Sequence, residues 1–124
     1  MDNVIDNTRS EQIEAVVMAA DYCKKLVKAM DNLAGEFENG KLEDTDEYAK
    51  NVLAGINWTI QVYNGTKDCL KGIGILIDEG KINAAIGDLG RAYQDDDDAA
   101  KAAVLRGALK EFVNDMIEAG AKLN

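Results

Sequence analysis

Four consecutive aspartates, Asp95–Asp98, are the most conspicuous group of side chains capable of chemistry in the sequence. Such a run can hold a cation or contact a basic partner. A calcium loop, however, needs ligands at spaced positions, a central glycine and a terminal glutamate, and the run lacks that spacing. Carboxylates at the first turn of a helix complement its positive end, and one of them can cap it. We therefore interpret the run as a helix start.

The other carboxylate pairs also favour structure over catalysis. Glu11 with Glu14, and Asp44 with Glu47, fall at predicted helix starts, and no acidic residue falls clearly in the middle of an apolar stripe. The sequence has no histidine, which excludes Ser-His-Asp and Cys-His nucleophiles, imidazole metal ligands and Glu-x-x-His di-iron sites. We therefore predict that the protein is not an enzyme and has no catalytic residue, metal site or cofactor.

Two glycine patterns resemble nucleotide-binding loops only superficially. The segment from Gly74 to Ile82 is one residue too long for a phosphate loop, and no serine or threonine follows Lys81. Gly72-Ile73-Gly74 lacks the third glycine of a dinucleotide site. Neither pattern predicts a nucleotide site.

Trp58 is the residue that we single out as a candidate partner-binding residue. It lies beside the predicted apolar seam through Ile56 and Tyr63 rather than on it. In one interpretation the indole fills a groove beside the small residues Ala54 and Gly55, which is ordinary core packing. In the other it belongs to an exposed apolar patch for a partner helix, since tryptophan is enriched at binding hot spots.

Chain length and net charge limit the number of domains and the classes of partner. A chain of 124 residues can form one hydrophobic core, and we predict a single domain over residues 1–124. The formal net charge of -9 disfavours nucleic acid and anionic membrane surfaces and favours a basic or neutral partner. With no signal peptide or long apolar run, we expect a cytoplasmic protein in which Cys23 and Cys69 are buried free thiols.

Apolar residues that recur every seven positions predict a long first helix. Thr8-Arg9-Ser10-Glu11 has the pattern of a capping box at its start, which leaves residues 1–8 as a frayed lead-in. Asn39-Gly40 is expected to end the helix, because glycine readily adopts the left-handed conformation of a helix C-terminus. The stripe consists of Ile13, Val16, Ala20, Cys23, Leu26, Val27, Met30, Leu33, Ala34 and Phe37.

A second stripe predicts another long helix, from residue 46 to residue 78. Asp44-Thr45-Asp46-Glu47 forms a second capping box, with Leu42 packed on the first turn. The alternative is a break at Asn64-Gly65 with Thr66 as a new N-cap. We favour one helix kinked near Gly65, because the phase of the stripe survives the crossing. The segment 72–77 could also form a strand, which we reject because no other segment offers it a partner.

Two further helices complete the predicted fold. A short helix of about 12 residues carries Ile82 to Tyr93, and a medium helix carries Leu105 to Leu123 and frays after Gly120. Short polar loops favour antiparallel neighbours. We therefore predict an all-α, antiparallel four-helix bundle with two long helices, one short and one medium.

Three segments of the second half carry a resemblance: Ala54-Gly55-Ile56-Asn57-Trp58, the stretch from Leu89 to Asp95, and the stretch from Val104 to Phe112. The chain resembles a family of short, acidic, uncharacterised bacterial helical proteins that is common in Firmicutes. The resemblance implies a helical bundle and no known activity. The spacing of Asp78, Leu89 and Tyr93 is also loosely similar to that of FliS-type flagellar secretion chaperones, although no binding residue is carried over.

The predicted function is a non-enzymatic interaction module, an adaptor or chaperone-like bundle that binds another helical protein or a second copy of itself. Long apolar stripes beside shorter helices leave part of each long stripe without an internal partner. The alternative is a small-molecule-binding bundle, or an enzyme that uses carboxylates or tyrosine in a cavity between helices. Tyr63, which faces the core in mid-helix, is the polar side chain expected in such a cavity.

Overall fold

Helices account for nearly all of the chain. The structure is a computed structural model that describes the backbone of residues 2–124 and the side chains of residues 9–124. The helices are α1 (Asp2–Asn39), α2 (Thr45–Gly72), α3 (Glu79–Gln94), α4 (Asp98–Arg106) and α5 (Ala108–Leu123). Only Gly107 separates α4 from α5, so residues 2–124 form four helices, without a strand, if these two count as halves of one broken helix. The predicted all-α four-helix bundle is confirmed.

Helix α1 lies at the centre of the bundle and packs against α2 on one side and against α4 and α5 on the other. It runs antiparallel to α2, because Tyr48 near the start of α2 donates a hydrogen bond to the Ala29 carbonyl while Thr59 lies beside Cys23. Most of the predicted α1 stripe is buried: Val16, Ala20, Cys23, Leu26, Met30, Leu33, Ala34 and Phe37. Burial of this apolar face is the main stabilising contribution to the fold.

The start of α1 differs from the predicted start, whereas its end agrees with the prediction. The helix begins at Asp2, earlier than the start predicted at Thr8. The side chains of residues 1–8, and with them the Thr8 capping box and the expected lead-in, lie outside the described residues. The predicted end is confirmed, because Gly40 has a φ of +111° and terminates the helix after Asn39.

Helix α2 is kinked where the sequence predicted it and shorter than predicted. Thr66 has non-helical backbone angles, with φ at -129°, and its hydroxyl donates to the Val62 carbonyl at 2.7 Å. The helix ends at Gly72, so the predicted continuation to residue 78 is wrong. The amide of Ile75 instead bonds to the Leu70 carbonyl, and Gly74 takes a φ of +80°, which turns the chain towards α3.

The second predicted capping box, Asp44 to Glu47, does not form. Asp44 occupies the N-cap position without a side-chain hydrogen bond. Thr45 is the organising residue, because its hydroxyl accepts from the Leu42 amide and donates to Glu36 of α1, both at 2.7 Å. Leu42 is exposed, so the expected packing of its side chain on the first turn is also wrong.

The last predicted helix is interrupted. Gly107, with φ at -94° and ψ at -120°, separates α4 from α5, and the sequence analysis missed this break. The expected fraying after Gly120 is wrong as well, since α5 continues to Leu123. Gly120 is buried against Ala20, and a β-carbon placed on it would collide with the Ala20 methyl group. The absence of a side chain at Gly120 therefore allows α5 to approach α1 closely.

Helix α3 packs against α4 and α5 but stands away from α2. No Cα atom of α3 lies within 8 Å of a Cα atom of α2. Side chains bridge this seam at one end, where Tyr63 and Lys67 of α2 reach Glu79 in the first turn of α3. Asp78 caps that turn by accepting from the Lys81 amide at 3.2 Å.

Candidate functional site

Trp58 lies on the surface of the bundle, where α1 and α2 meet. Its side chain is 36% exposed, and its indole packs edge-on against the ring of Tyr22, with centroids 5.3 Å apart and planes at 87°. Such an arrangement places the positive edge of one ring against the negative face of the other. The indole is thus held by a partner from α1 while part of its surface stays accessible.

The groove beside the small residues of α2 is filled by Tyr22 rather than by Trp58. A β-carbon on Gly55 would collide with the Tyr22 hydroxyl oxygen and would lie 3.1 Å from the Leu26 side chain. Gly55 therefore provides the space that lets the tyrosine lie across α2. Gly55 and Trp58 are neighbours, as predicted, but the ring that fills the groove is that of Tyr22.

Met18 extends the exposed apolar surface by one turn of α1. It is 64% exposed and lies four residues before Tyr22, on the same side of the helix. We call Met18, Tyr22 and Trp58 the aromatic surface. Within the described residues, seven large hydrophobic side chains are exposed, and three of them form this surface. The other four, Leu42, Leu76, Ile86 and Tyr93, are dispersed in sequence over the loops and α3.

An apolar groove of about 670 Å³ adjoins the aromatic surface through Met18. It lies between α1 and the C-terminal end of α5, and Val17 and Ile117 contribute to its lining. Its rim carries the carboxylates Glu14 and Asp21. Lys24 also lines the groove, so its charged residues are two carboxylates and one ammonium group.

Tyr63 is buried as predicted, and it belongs to a small polar cleft between α2 and α3. Its hydroxyl donates to Glu79 at 3.2 Å, and Glu79 also forms an ion pair with Lys67. Ile60, Asn64, Ile82 and Asn83 complete the lining of a cleft of about 180 Å³. That volume is smaller than the roughly 300–1,000 Å³ of ordinary ligand pockets.

The electrostatics of this cleft disfavour acid–base chemistry. Burial raises the pKa of Tyr63, and the neighbouring Glu79 carboxylate raises it further. The Lys67 ammonium lowers the pKa of Glu79, so this carboxylate stays ionised. The protonated Tyr63 hydroxyl and the ionised Glu79 carboxylate thus form a charge-assisted hydrogen bond between α2 and α3.

The aspartate run does start a helix, as predicted. Asp97 caps α4 by accepting from the Ala100 amide at 3.0 Å, and Asp96 takes a φ of +50° in the preceding turn. Asp96 and Asp98 both accept hydrogen bonds from the ammonium of Lys101, at 3.3 and 3.0 Å. The carboxylates of Asp96, Asp97 and Asp98 thus hold the loop against the helix.

Lys101 is a buried cation that the sequence analysis missed. Its side chain is 3% exposed, and its ammonium lies 4.4 Å from the centre of the Tyr93 ring and 5.2 Å from that of Phe37. Burial alone would lower its pKa, but the hydrogen bonds to Asp98 and Asp96 outweigh that effect and the pKa is raised. The signal in the sequence was a lysine four residues before Leu105, on the apolar side of α4.

The two cysteines are free, as predicted. Cys23 is buried, whereas Cys69 is only half-buried. Burial raises the pKa of the Cys23 thiol, and a contact of 3.8 Å with the Thr59 hydroxyl opposes the shift only partly. Cys23 is therefore a packing residue rather than an activated nucleophile.

The described part of the chain shows no metal-ligand cluster, no unpaired buried polar side-chain atom and no membrane-spanning helix. There, no three His, Cys, Asp or Glu side chains are grouped as metal ligands would be. Every buried side-chain nitrogen or oxygen among those residues has a hydrogen-bond partner. None of the described helices is long and apolar enough to cross a membrane. The aromatic surface is the strongest candidate for a functional site.

Comparison with known proteins identifies a family but not an activity. A family model described as a domain of unknown function (DUF8042) matches residues 14–119. No curated protein and no solved structure matches the chain. The match spans α2, α3 and α4 completely and most of α1 and α5, so the residues of the aromatic surface all lie within it.

Proposed function

The chain belongs to this family of unknown function, DUF8042, and from that premise we propose that it is a non-enzymatic protein-interaction module. In this proposal an adaptor or chaperone-like bundle binds another helical protein through the aromatic surface, with Trp58 as its anchor. The observation that carries the proposal is the gathering of Met18, Tyr22 and Trp58 into one exposed apolar surface. Exposed aromatic groups of this kind are typical of binding hot spots.

The packing of Tyr22 and Trp58 supports a binding surface rather than incidental exposure of two rings. Tyr22 is seated over Gly55, and Trp58 is packed on Tyr22, so both rings are held before a partner arrives. A ring that is already ordered loses little conformational entropy on binding. The Tyr63 cleft supports the small-molecule alternative less well, because it is small and its polar groups are already paired.

We also propose that the protein is bacterial and cytoplasmic, and that its family is common in Firmicutes. The resemblance of the second half to bacterial helical proteins supports this setting. The loose likeness to flagellar secretion chaperones supports a chaperone-like role without assigning binding residues. Fractionation of the source cells, followed by detection of the protein with an antibody, tests the location; recovery with the membrane or from the medium would contradict it.

The interaction role is tested by affinity capture from the source organism with three baits. We expect the wild-type chain to retain a partner that the Trp58→Ala variant loses. Leu76→Ala, which removes an exposed leucine from the loop after α2, is the matched control and should retain the partner. Size-exclusion chromatography with light scattering should show whether that partner is a second copy. A chain that is monomeric at all concentrations and has no Trp58-dependent partner would contradict the proposal.

A further inference from the structure

Most cations without a carboxylate partner among the described residues lie on α1 and α2, the helices that carry the aromatic surface. Of the 14 lysines and arginines, eight form an ion pair within the described residues. Four of the other six lie near Tyr22 on α1 or before Trp58 on α2: Lys24, Lys25, Lys28 and Lys50. All four are exposed. The remaining two are Arg9 and Lys71.

Acidic residues are absent from the same two segments of sequence. Residues 22–30 of α1 and residues 48–67 of α2 contain no aspartate or glutamate, in a chain with 23 of them. The antiparallel packing of α1 and α2 brings the first segment alongside the beginning of the second, as the hydrogen bond from Tyr48 to Ala29 and the contact of Tyr22 with Trp58 show. The two segments that carry the rings are therefore positively charged, although the whole chain is strongly negative. Asp21 directly precedes the first segment, and Lys24 lines the groove between α1 and α5.

We infer that the partner bound at the aromatic surface is an acidic amphipathic helix. This inference rests on the proposed function and specifies the chemistry of the partner. The apolar side of such a helix covers Trp58, Tyr22 and Met18, while its carboxylates reach Lys25 and Lys50. Net charge alone favoured a basic or neutral partner, but charges within about 10 Å of a contact act on it more strongly than distant, screened ones.

An anionic membrane as the occupant fits these observations less well. Exposed lysines with a tryptophan also suit an anionic membrane surface, but the net charge of -9 repels such a surface as a whole. A peptide is small enough to contact the positively charged segments alone. The groove between α1 and α5 meets this docking surface at Met18, and beyond Met18 it is less favourable for an acidic helix because Glu14 and Asp21 line it.

The test uses the full chain and three helical peptides of equal length. The peptides share one leucine-rich face and differ only in the opposite face, which carries glutamate, glutamine or lysine. Because Trp58 is the only tryptophan, a change in its emission reports binding at this surface. Anisotropy of a labelled peptide gives the affinity for every variant. We expect the glutamate peptide to bind roughly fivefold more tightly than the glutamine peptide at low salt, as two or three exposed ion pairs provide.

Substitutions identify the residues responsible for the preference. The Lys25→Gln/Lys50→Gln variant should lose most of the preference for the glutamate peptide and still bind the glutamine peptide. Lys71→Gln removes another exposed, unpaired lysine, from the far end of α2, and should leave the preference intact. The Trp58→Ala variant should bind all three peptides more weakly. Circular dichroism of each variant checks that the bundle is retained.

The outcomes separate this inference from the function on which it rests. Equal or tighter binding of the lysine peptide would overturn the acidic partner and leave the interaction surface standing. If no peptide binds or perturbs Trp58, both the inference and the proposed surface are wrong. Binding to vesicles that contain anionic lipid, without binding to any peptide, would replace the protein partner by a membrane.

Discussion

Single side chains hold this bundle together at points that periodicity does not reveal. Lys101 joins the aspartate loop, α3 and α1 by contacting Asp96, Asp98, Tyr93 and Phe37. Tyr93, Asp96 and Asp98 lie within eight residues of Lys101 in the sequence, whereas Phe37 reaches it only through the packing of α4 against α1. The carboxylates of the run were correctly interpreted as helix-start groups, but the burial of Lys101 against Phe37 depends on how α4 packs on α1.

Replacing Lys101 by methionine should destabilise the protein. The Lys101→Met variant keeps a long apolar stem but loses two ion pairs and the contact of the ammonium with two rings, which should cost about 1–3 kcal/mol. Lys122→Met removes an exposed lysine from a pair at 3.7 Å with Glu118 and should cost less than about 0.5 kcal/mol. Urea unfolding of both variants gives the comparison; equal costs would contradict the role assigned to Lys101.

The same residue predicts a loss of stability at high pH. The pKa of Lys101 is raised above its ordinary value of 10.5 in the folded state. Its contribution is therefore complete below pH 10.5 and is lost as the pH rises through the higher folded-state value. The difference in unfolding free energy between wild type and Lys101→Met should shrink across that range. A difference that stays constant from pH 9 to beyond pH 11 would contradict the assignment.

Asp115 shows the opposite situation, a charge that the fold tolerates poorly. Partial burial raises its pKa, and Glu111 and Glu118 raise it further. Because the folded-state pKa lies above the ordinary 3.8, ionisation of Asp115 lowers stability as the pH rises through that region. Asp115→Asn should stabilise the protein by up to about 1 kcal/mol at pH 7. Thermal unfolding should show a gain that shrinks as the pH falls towards 4; a gain independent of pH would point to another cause.

At the scale of the elements, the course of each helix was predictable and several of its ends were not. The α1 stripe was predicted because a repeating apolar face is a property of local sequence, and the kink in α2 was predicted from Gly65 within a stripe whose phase continues. The end of α2 at Gly72 and the break at Gly107 were missed, because the stripe continues through both. The aromatic surface was predicted in part: Trp58 came from its position beside the seam, but Tyr22 became its partner only through antiparallel packing.

The close approach of α5 to α1 can be tested with two glycines. Gly120→Ala places a methyl group against Ala20 and should destabilise the protein by about 1–3 kcal/mol through overpacking. Gly87, in α3, has open space around it, so Gly87→Ala should be neutral or stabilising by up to about 1 kcal/mol through better helix propensity. Opposite signs of the two effects in urea unfolding are expected. Stabilisation by both would show that α1 and α5 are less tightly packed.

At the scale of the whole molecule, charge is distributed unevenly. The chain is acidic as a whole, yet its lysines without an ion pair in the described residues all lie on α1 and α2. The net charge, read from composition alone, indicated a basic or neutral partner. The sequence also shows the local charge, because 20 residues of α2 contain no aspartate or glutamate. The structure was needed to show that Trp58 and Tyr22 are exposed where α1 and α2 meet.

The separation of α2 from α3 implies that the bundle can open on one side. Helix α2 is held mainly by α1, whereas α1, α4 and α5 hold one another and α3 packs on α4 and α5. Native-state deuterium exchange should therefore be faster for the backbone amides of α2 than for the buried amides of α1 and α5. Uniform protection would contradict this. A molecule whose α2 detaches first retains a three-helix remainder, which could accept the equivalent helix of another molecule and form an exchanged dimer.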